Sequence, residues 1–190
     1  PTGTIVINKD GEFLTDINLI KGHWYDFVFD YFKKSLAGVT FEVYAAEDIV
    51  SPDGLNTVYY AKDTLVAEIV TNDKGIASIE NLPLGKYYLI ETKTLEGFVL
   101  DIEPIMADLS YVDQHTEVVY AGMEVTNERQ KVQVTVIKTD AETKNTLEGA
   151  IFGLYAAEDI VNGDGKIIVA KDTLVEKAVT GIDGKCVFLS

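Results

Sequence analysis

The sequence predicts an all-β protein made of tandem β-sandwich domains, and three observations lead to this prediction. Short runs of alternating apolar and polar residues are separated by turn residues such as Pro52-Asp53-Gly54. No segment has a helical period of useful length, and the AAED motif is long enough for one helical turn only. Finally, the chain repeats itself: Phe41 to Gly54 reads FEVYAAEDIVSPDG, and Phe152 to Gly165 reads FGLYAAEDIVNGDG.

The repeat also predicts where the domains meet. A second motif, AKDTLV, occurs at Ala61 to Val66 and again at Ala170 to Val175. A polar run, NERQK, separates two strand-like stretches near Glu128 to Lys131. We therefore expect a first domain over residues 1–129 and the N-terminal part of a second over residues 130–190. The second copy stops before its counterpart of LPLGKYYLIET, so we expect it to be incomplete and the less stable half.

In the first copy, alternation and turn signals predict strands near residues 4–9, 39–45, 58–60, 65–71, 76–79, 86–92 and 118–127. An insertion near residues 11–32 has no counterpart in the second copy. Its segment HWYDFVFDYF, from His23 to Phe32, alternates and puts four aromatic residues on one face. This pattern predicts an added strand or hairpin. Its aromatic face either packs onto the sandwich or the neighbouring domain, or is exposed as a binding platform.

Composition excludes several classes of function. A net charge of −15 argues against binding to a nucleic-acid backbone. Cys186 is the single cysteine, so no intrachain disulfide can form. His23 and His115 lie far apart, without further ligands at zinc spacing, and the Gly-Asp turns lack the spacing of a calcium loop. We therefore expect no metal and no cofactor.

Two further features concern the setting of the chain. No apolar run reaches the roughly 18 residues of a membrane-spanning helix, so we expect no membrane contact in this segment. The chain begins at Pro1 rather than Met and has no secretion signal, so we interpret it as part of a longer protein.

Three polar residues lie at the inward ends of apolar strand faces. Lys9 ends TIVINK, Glu91 ends the strand of LPLGKYYLIET, and Asn127 ends MEVTN, each in phase with the apolar residues of its strand. Buried polar groups are costly unless they are neutral or paired, so three of them need a joint explanation. One explanation is an unreactive Lys9–Glu91 ion pair with Asn127 as a hydrogen-bond partner.

The order of these motifs suggests a second explanation. A first strand ending in lysine, then F-x-x-Y, LPLGKYYLIET and a final V-x-N strand resembles the collagen-adhesin B-type (CnaB) domains, the SpaA-like pilin repeats of Gram-positive surface proteins. The resemblance covers nearly all of the first copy and implies a prealbumin-like, Ig-like sandwich with a spontaneous intramolecular isopeptide bond. It implies that Lys9 is the nucleophile, Asn127 the carbonyl donor and Glu91 the catalytic proton shuttle. Lys138, in VTVIK, is the second-copy match of Lys9 and is expected to stay unpaired.

The resemblance has one departure in the loop after Glu91. The family pattern often continues E-x-x-A-P-x-G-Y, whereas Glu91 is followed here by TKTLEGF, with Leu95 in place of proline and Phe98 in place of tyrosine. We expect these positions to shape a loop without touching the reacting groups.

The chemistry implied for the three residues agrees with their burial. Burial disfavours the ammonium form of Lys9 and frees its amine for attack. A neutral Glu91 can donate a hydrogen bond to the Asn127 carbonyl as charge develops there, and ammonia leaves.

The sequence therefore predicts a structural stalk or pilin-like segment of an extracellular, cell-wall-anchored bacterial surface protein. Its partners would be neighbouring domains of the same protein. It would not be an enzyme beyond a single-turnover reaction on itself. The alternative is an adhesin module that binds a host glycan or matrix protein through the aromatic insertion.

Overall fold

The computed structural model describes residues 1–19 and 27–189, and the regular secondary structure in these ranges is all β-strand, which confirms the predicted fold class. The first ten strands are β1 (Thr2–Leu19), β2 (Phe27–Ser35), β3 (Thr40–Ala45), β4 (Ile49–Val50), β5 (Val58–Tyr60), β6 (Leu65–Val70), β7 (Ile76–Leu82), β8 (Lys86–Lys93), β9 (Ile105–Asp108) and β10 (Val118–Asn127). Within the described ranges, no helix has the length and apolar character needed to cross a membrane.

Six further strands follow in the second copy: β11 (Gln133–Ile137), β12 (Ile151–Tyr155), β13 (Ile160–Val161), β14 (Ile167–Val169), β15 (Leu174–Val179) and β16 (Lys185–Leu189). The chain divides into two compact units. Unit 1 comprises Pro1–Glu12 and Lys33–Arg129, and unit 2 comprises Phe13–Phe32 and Gln130–Ser190. The predicted insertion is therefore grouped with the second copy of the repeat.

Unit 1 contains two four-stranded sheets and the short antiparallel pair β4–β5. In the first, β1 pairs in parallel with β10 and antiparallel with β7, and β2 also neighbours β1. The second is antiparallel, in the order β6-β3-β8-β9. Inward-facing side chains of both sheets form one core, whose fully buried members include Ile5, Ile7, Phe41, Val43 and Leu89. Alternating burial along β3 and β8 shows the period of two that the sequence predicted.

Unit 2 has three antiparallel strand pairs, β11–β16, β12–β15 and β13–β14. Its core is a cluster of Ala156, Val169 and Val175, with Ile17, Phe27, Phe29, Ile160 and Ile168 packed against it. Three members of this cluster come from the insertion strands, defined here as residues 13–19 of β1 and 27–32 of β2. Alternation explains the packing, because Phe27 and Phe29 are on the same face while Val28, between them, is 47% exposed.

The turn between β13 and β14 donates hydrogen bonds to backbone carbonyl groups of the insertion strands. Gly163 N donates to Leu14 O at 2.9 Å, and Asn162 Nδ2 donates to Thr15 O at 3.1 Å. Phe27 and Phe29 of the aromatic face are partly buried against the core of unit 2. His23 to Asp26, which include Trp24 and Tyr25 of the predicted segment, lie outside the described residues.

Candidate functional site

The structure brings Lys9, Glu91 and Asn127 together in the core of unit 1. Lys9 lies on β1, Glu91 on β8 of the facing sheet, and Asn127 at the end of β10. Their exposed fractions are 2%, 1% and 1%. Each is in phase with the apolar side chains of its strand, so the alternation that buries those side chains also turns the polar groups inward.

Each of the three side chains contacts both of the others. Lys9 Nζ lies 2.5 Å from Asn127 Oδ1 and 2.8 Å from Glu91 Oε2. Asn127 Nδ2 donates a hydrogen bond to Glu91 Oε1 at 2.6 Å. The carboxylate therefore bridges the amine and the amide nitrogen, with one oxygen on each.

One detail of the predicted chemistry was wrong. We expected Glu91 to face the carbonyl oxygen of Asn127, but it faces the amide nitrogen, and the carbonyl oxygen faces Lys9 instead. The reason is the anchoring of Glu91 Oε2 by the lysine, which leaves Oε1 as an acceptor and so attracts the N–H side of the amide. Glu91 therefore lies between Lys9 Nζ and Asn127 Nδ2.

Apolar groups surround the three side chains. The ring centroid of Phe41 lies 5.8 Å from Lys9 Nζ. Gly11 pairs with Asn127 across β1 and β10, and a side chain at Gly11 would collide with Phe98 and Leu36, which fill that space. The three polar side chains are thereby shielded from solvent.

The backbone of Lys9 is held by a glycine turn. Lys9 N donates to Gly75 O at 2.7 Å, and Leu36 N donates to Lys9 O at 3.0 Å. Gly75 has φ of 73°, and a Cβ at this position would strike Lys9 O. Only glycine satisfies both the positive φ and the close approach, so the N-D-K-G turn fixes the strand position of Lys9.

Sequence reasoning missed Thr94, which follows β8 directly. Asn127 Nδ2 donates a hydrogen bond to Thr94 Oγ1 at 2.7 Å. Thr94 was not among the positions singled out in the loop after Glu91, whereas Phe98 was, and Phe98 fills the space beside Gly11, the residue that pairs with Asn127. The available signal was a hydroxyl residue where the E-x-x-A-P-x-G-Y pattern has alanine.

Lys138 occupies the matching backbone position in unit 2. Lys138 N donates to Gly184 O at 2.8 Å, and Leu147 N donates to Lys138 O at 2.9 Å, as at Lys9. Its side chain, however, is exposed. In the part of the chain that the structure describes, the preceding strand β11 pairs with β16 alone, and Lys138 has no buried carboxylate and amide around it.

No metal centre was found among the described residues, where no group of three or more His, Cys, Asp or Glu side chains is arranged to hold an ion. Cys186 is a free, buried cysteine.

Comparison with known proteins agrees with this architecture. The model of the SpaA prealbumin-like fold domain matches residues 30–124, half of the chain. The chain belongs to the SpaA prealbumin-like domain family. The match covers β3 to β9, which include the four strands of the second sheet of unit 1 and, among them, β8 with Glu91, and it ends before Asn127. No curated protein matches the chain.

Solved structures similar to this SpaA-type chain include the Bacillus anthracis TIE protein, with 25% sequence identity and a TM-score of 0.56. The similarity covers 100% of this chain and 26% of the TIE protein chain. A streptococcal ancillary pilin is similar with 19% sequence identity and a TM-score of 0.40, over 98% of this chain and 49% of the pilin chain. The Corynebacterium diphtheriae major pilin SpaA is similar with 18% sequence identity and a TM-score of 0.44, over 67% of this chain and 31% of the pilin chain. The chain thus spans about a quarter of the first protein and less than half of the other two.

Proposed function

We propose that this chain is a stalk segment of a bacterial surface protein, in which Lys9 and Asn127 become joined by an isopeptide bond that the chain forms on itself. The observation that carries the proposal is the closed set of contacts among three buried side chains, with Glu91 touching both the amine and the amide nitrogen. An ion pair alone does not need a primary amide whose carbonyl lies against the lysine.

The reaction begins with the ion pair. Transfer of one proton from Lys9 Nζ to Glu91 Oε2 turns the ammonium and carboxylate into a neutral amine and a neutral acid. The amine then has a free electron pair next to the Asn127 side chain.

In the next steps a bond forms and a bond breaks. Lys9 Nζ attacks Asn127 Cγ, Glu91 gives its proton to Nδ2, and Glu91 takes a proton from the attacking nitrogen. The Cγ–Nδ2 bond breaks and ammonia leaves, so one amide is replaced by another and Glu91 ends as a neutral acid. Folding contributes mainly proximity, since it holds the reacting groups in contact without further loss of translational freedom.

A bond at this position would carry tension. Lys9 and Asn127 lie on β1 and β10, the first and last strands of unit 1, which pair in parallel. Tensile force along the chain would be transmitted from β1 to β10 through the covalent link, and the residues between Lys9 and Asn127 would not carry that force. This favours a load-bearing role in an extracellular, cell-wall-anchored protein whose partners are its own neighbouring domains.

The second copy fits the same proposal. Its matching glycine turn and its repeated motifs support a second domain of this type, of which residues 130–190 would be the N-terminal part. We do not favour the adhesin alternative on the described residues, because Phe27 and Phe29 are packed against the unit 2 core.

Intact-mass spectrometry of the wild-type chain and two variants tests the proposal. The wild type should be lighter than its sequence mass by one ammonia. Glu91→Gln should show the full mass, because it cannot shuttle protons, while Lys138→Ala should keep the deficit. A wild-type chain of full mass would rule out the bond, and a deficit that disappears in Lys138→Ala would show that Lys9 is not the reacting lysine.

A further inference from the structure

The amide nitrogen of Asn127 has two hydrogen atoms, and both are directed to acceptors. One is donated to Glu91 Oε1 at 2.6 Å and the other to Thr94 Oγ1 at 2.7 Å. The remaining polar atom of the amide, Oδ1, faces Lys9 Nζ. All hydrogen-bonding positions of the amide except the second lone pair of Oδ1 are therefore used.

The orientation of this amide decides whether the reaction can proceed. Turning the amide over by half a rotation would exchange Nδ2 and Oδ1, which are nearly equal in size. Nδ2 would then face Lys9, away from the proton on Glu91, and ammonia could not be formed there. Glu91 opposes this turn through a single hydrogen bond, from Asn127 Nδ2 to Oε1. A second acceptor beside Nδ2 adds to the hydrogen bonds that hold the amide in the orientation seen here.

We propose that Thr94 is a positioning residue for isopeptide formation: its hydroxyl holds the leaving nitrogen of Asn127 beside Glu91 and the carbonyl toward Lys9. This inference rests on the proposed function. Thr94 Oγ1 has two lone pairs, so it can accept from Nδ2 whichever protonation state Glu91 has reached. As Nδ2 gains its third hydrogen, Thr94 continues to accept one of them.

The loop that carries Thr94 is fixed to the strand that carries Asn127. Phe98 N donates to Leu95 O at 3.3 Å, and Val99 N donates to Glu128 O at 2.8 Å, one residue beyond Asn127. These bonds tie the two ends of the site together. Thr94 is therefore held by backbone contacts of its own loop and not by the hydrogen bond to Asn127 alone.

The test follows bond formation in the full chain during a short pulse of cell-free synthesis. Samples are quenched at intervals, and intact mass gives the fraction that has lost ammonia. Only molecules that resist brief proteolysis are counted, so slow folding cannot be mistaken for slow chemistry. The variants are Thr94→Val, which removes the acceptor at nearly constant volume, and Thr94→Ala as a second acceptor-free change. Thr94→Ser keeps the acceptor, and Thr92→Val is the control at an exposed threonine of β8.

Loss of one hydrogen bond should slow bond formation roughly fivefold to tenfold in Thr94→Val and Thr94→Ala. Thr94→Ser and Thr92→Val should react within about twofold of wild type, since neither removes the acceptor. A purely structural role would lower the melting temperature of Thr94→Val without slowing the reaction of folded molecules. Wild-type rates in both acceptor-free variants, or a slow Thr94→Ser, would overturn this inference while leaving the bond intact. A wild-type chain that never loses ammonia would instead overturn the proposed function.

Discussion

Removing the cross-link should lower the stability of unit 1 by an amount that follows from chain connectivity. The double variant Lys9→Met/Glu91→Gln removes the nucleophile and the proton shuttle together. Lys9 and Asn127 are 118 positions apart. Closing a loop of this length restricts the unfolded chain by about 5 kcal/mol, on the entropy relation used for disulfides. At roughly 4 °C or more per kcal/mol for a domain of this size, the unit 1 transition should fall by about 20 °C.

The double variant is preferable to Lys9→Met alone. Without Lys9, the Glu91 carboxylate would be buried without its cation, and that penalty would add to the effect of the missing bond. The Glu91→Gln change makes this side chain neutral at nearly constant size, and its amide oxygen can still accept from Asn127 Nδ2. The measured difference then reports mainly the loss of loop closure.

Differential scanning calorimetry of the wild type and the double variant measures this shift, with Lys138→Met as the matched control at the exposed lysine of unit 2. The control should leave the unit 1 transition unchanged. If the wild-type protein has lost one ammonia and the double variant melts less than about 5 °C below it, the loop-closure reasoning is refuted. The measured shift would then account for only a small part of the expected stabilisation.

Three further perturbations test other parts of the structure. Gly75→Ala should destabilise unit 1 by about 1–3 kcal/mol and slow ammonia loss, because a Cβ at this position meets Lys9 O and the backbone φ is 73°. A variant that unfolds at the same urea concentration as the wild type would contradict this. Phe29→Ala should lower the free energy of unfolding of unit 2 by about 2–4 kcal/mol, which faster proteolysis of unit 2 would show. It should leave the ammonia deficit of unit 1 unchanged, which intact mass would show. Hydrogen bonds from Thr143 and Glu142 lower the pKa of Asp140. The turn that these residues form should therefore be stable above the unfolded pKa of aspartate, and it should loosen as pH falls through the lowered pKa of Asp140 in the folded chain. Protection of the Thr143 amide from hydrogen exchange that does not change with acid, or that is the same in Asp140→Asn, would contradict this.

The sequence was sufficient for the fold class and for the convergence of Lys9, Glu91 and Asn127, because both depend on a period of two. A polar residue in phase with buried apolar residues must face the core. Three such residues near the strand ends of one small core are therefore expected to lie close together. The glycine turns were also visible, since N-D-K-G in the first copy and G-I-D-G in the second precede strands that alternate.

Two features depended on information that periodicity does not contain. Alternation in the insertion shows that Phe27 and Phe29 share a face, but it does not identify the apolar surface that covers them, which is in unit 2. Thr94 lies in a short loop, where no period relates one side chain to the next, so its contact with Asn127 follows only from the path of the loop.

Peptide mapping of the wild-type chain tests the isopeptide bond most directly. Trypsin cuts after lysine and arginine, and an acylated Lys9 is no longer a substrate. We expect residues 1–21 to remain uncut at Lys9 and to appear joined to residues 94–129, in one branched peptide lighter than the sum of its parts by one ammonia. Cleavage after Lys9, with residues 94–129 recovered as a separate linear peptide that contains an unmodified Asn127, would contradict the account.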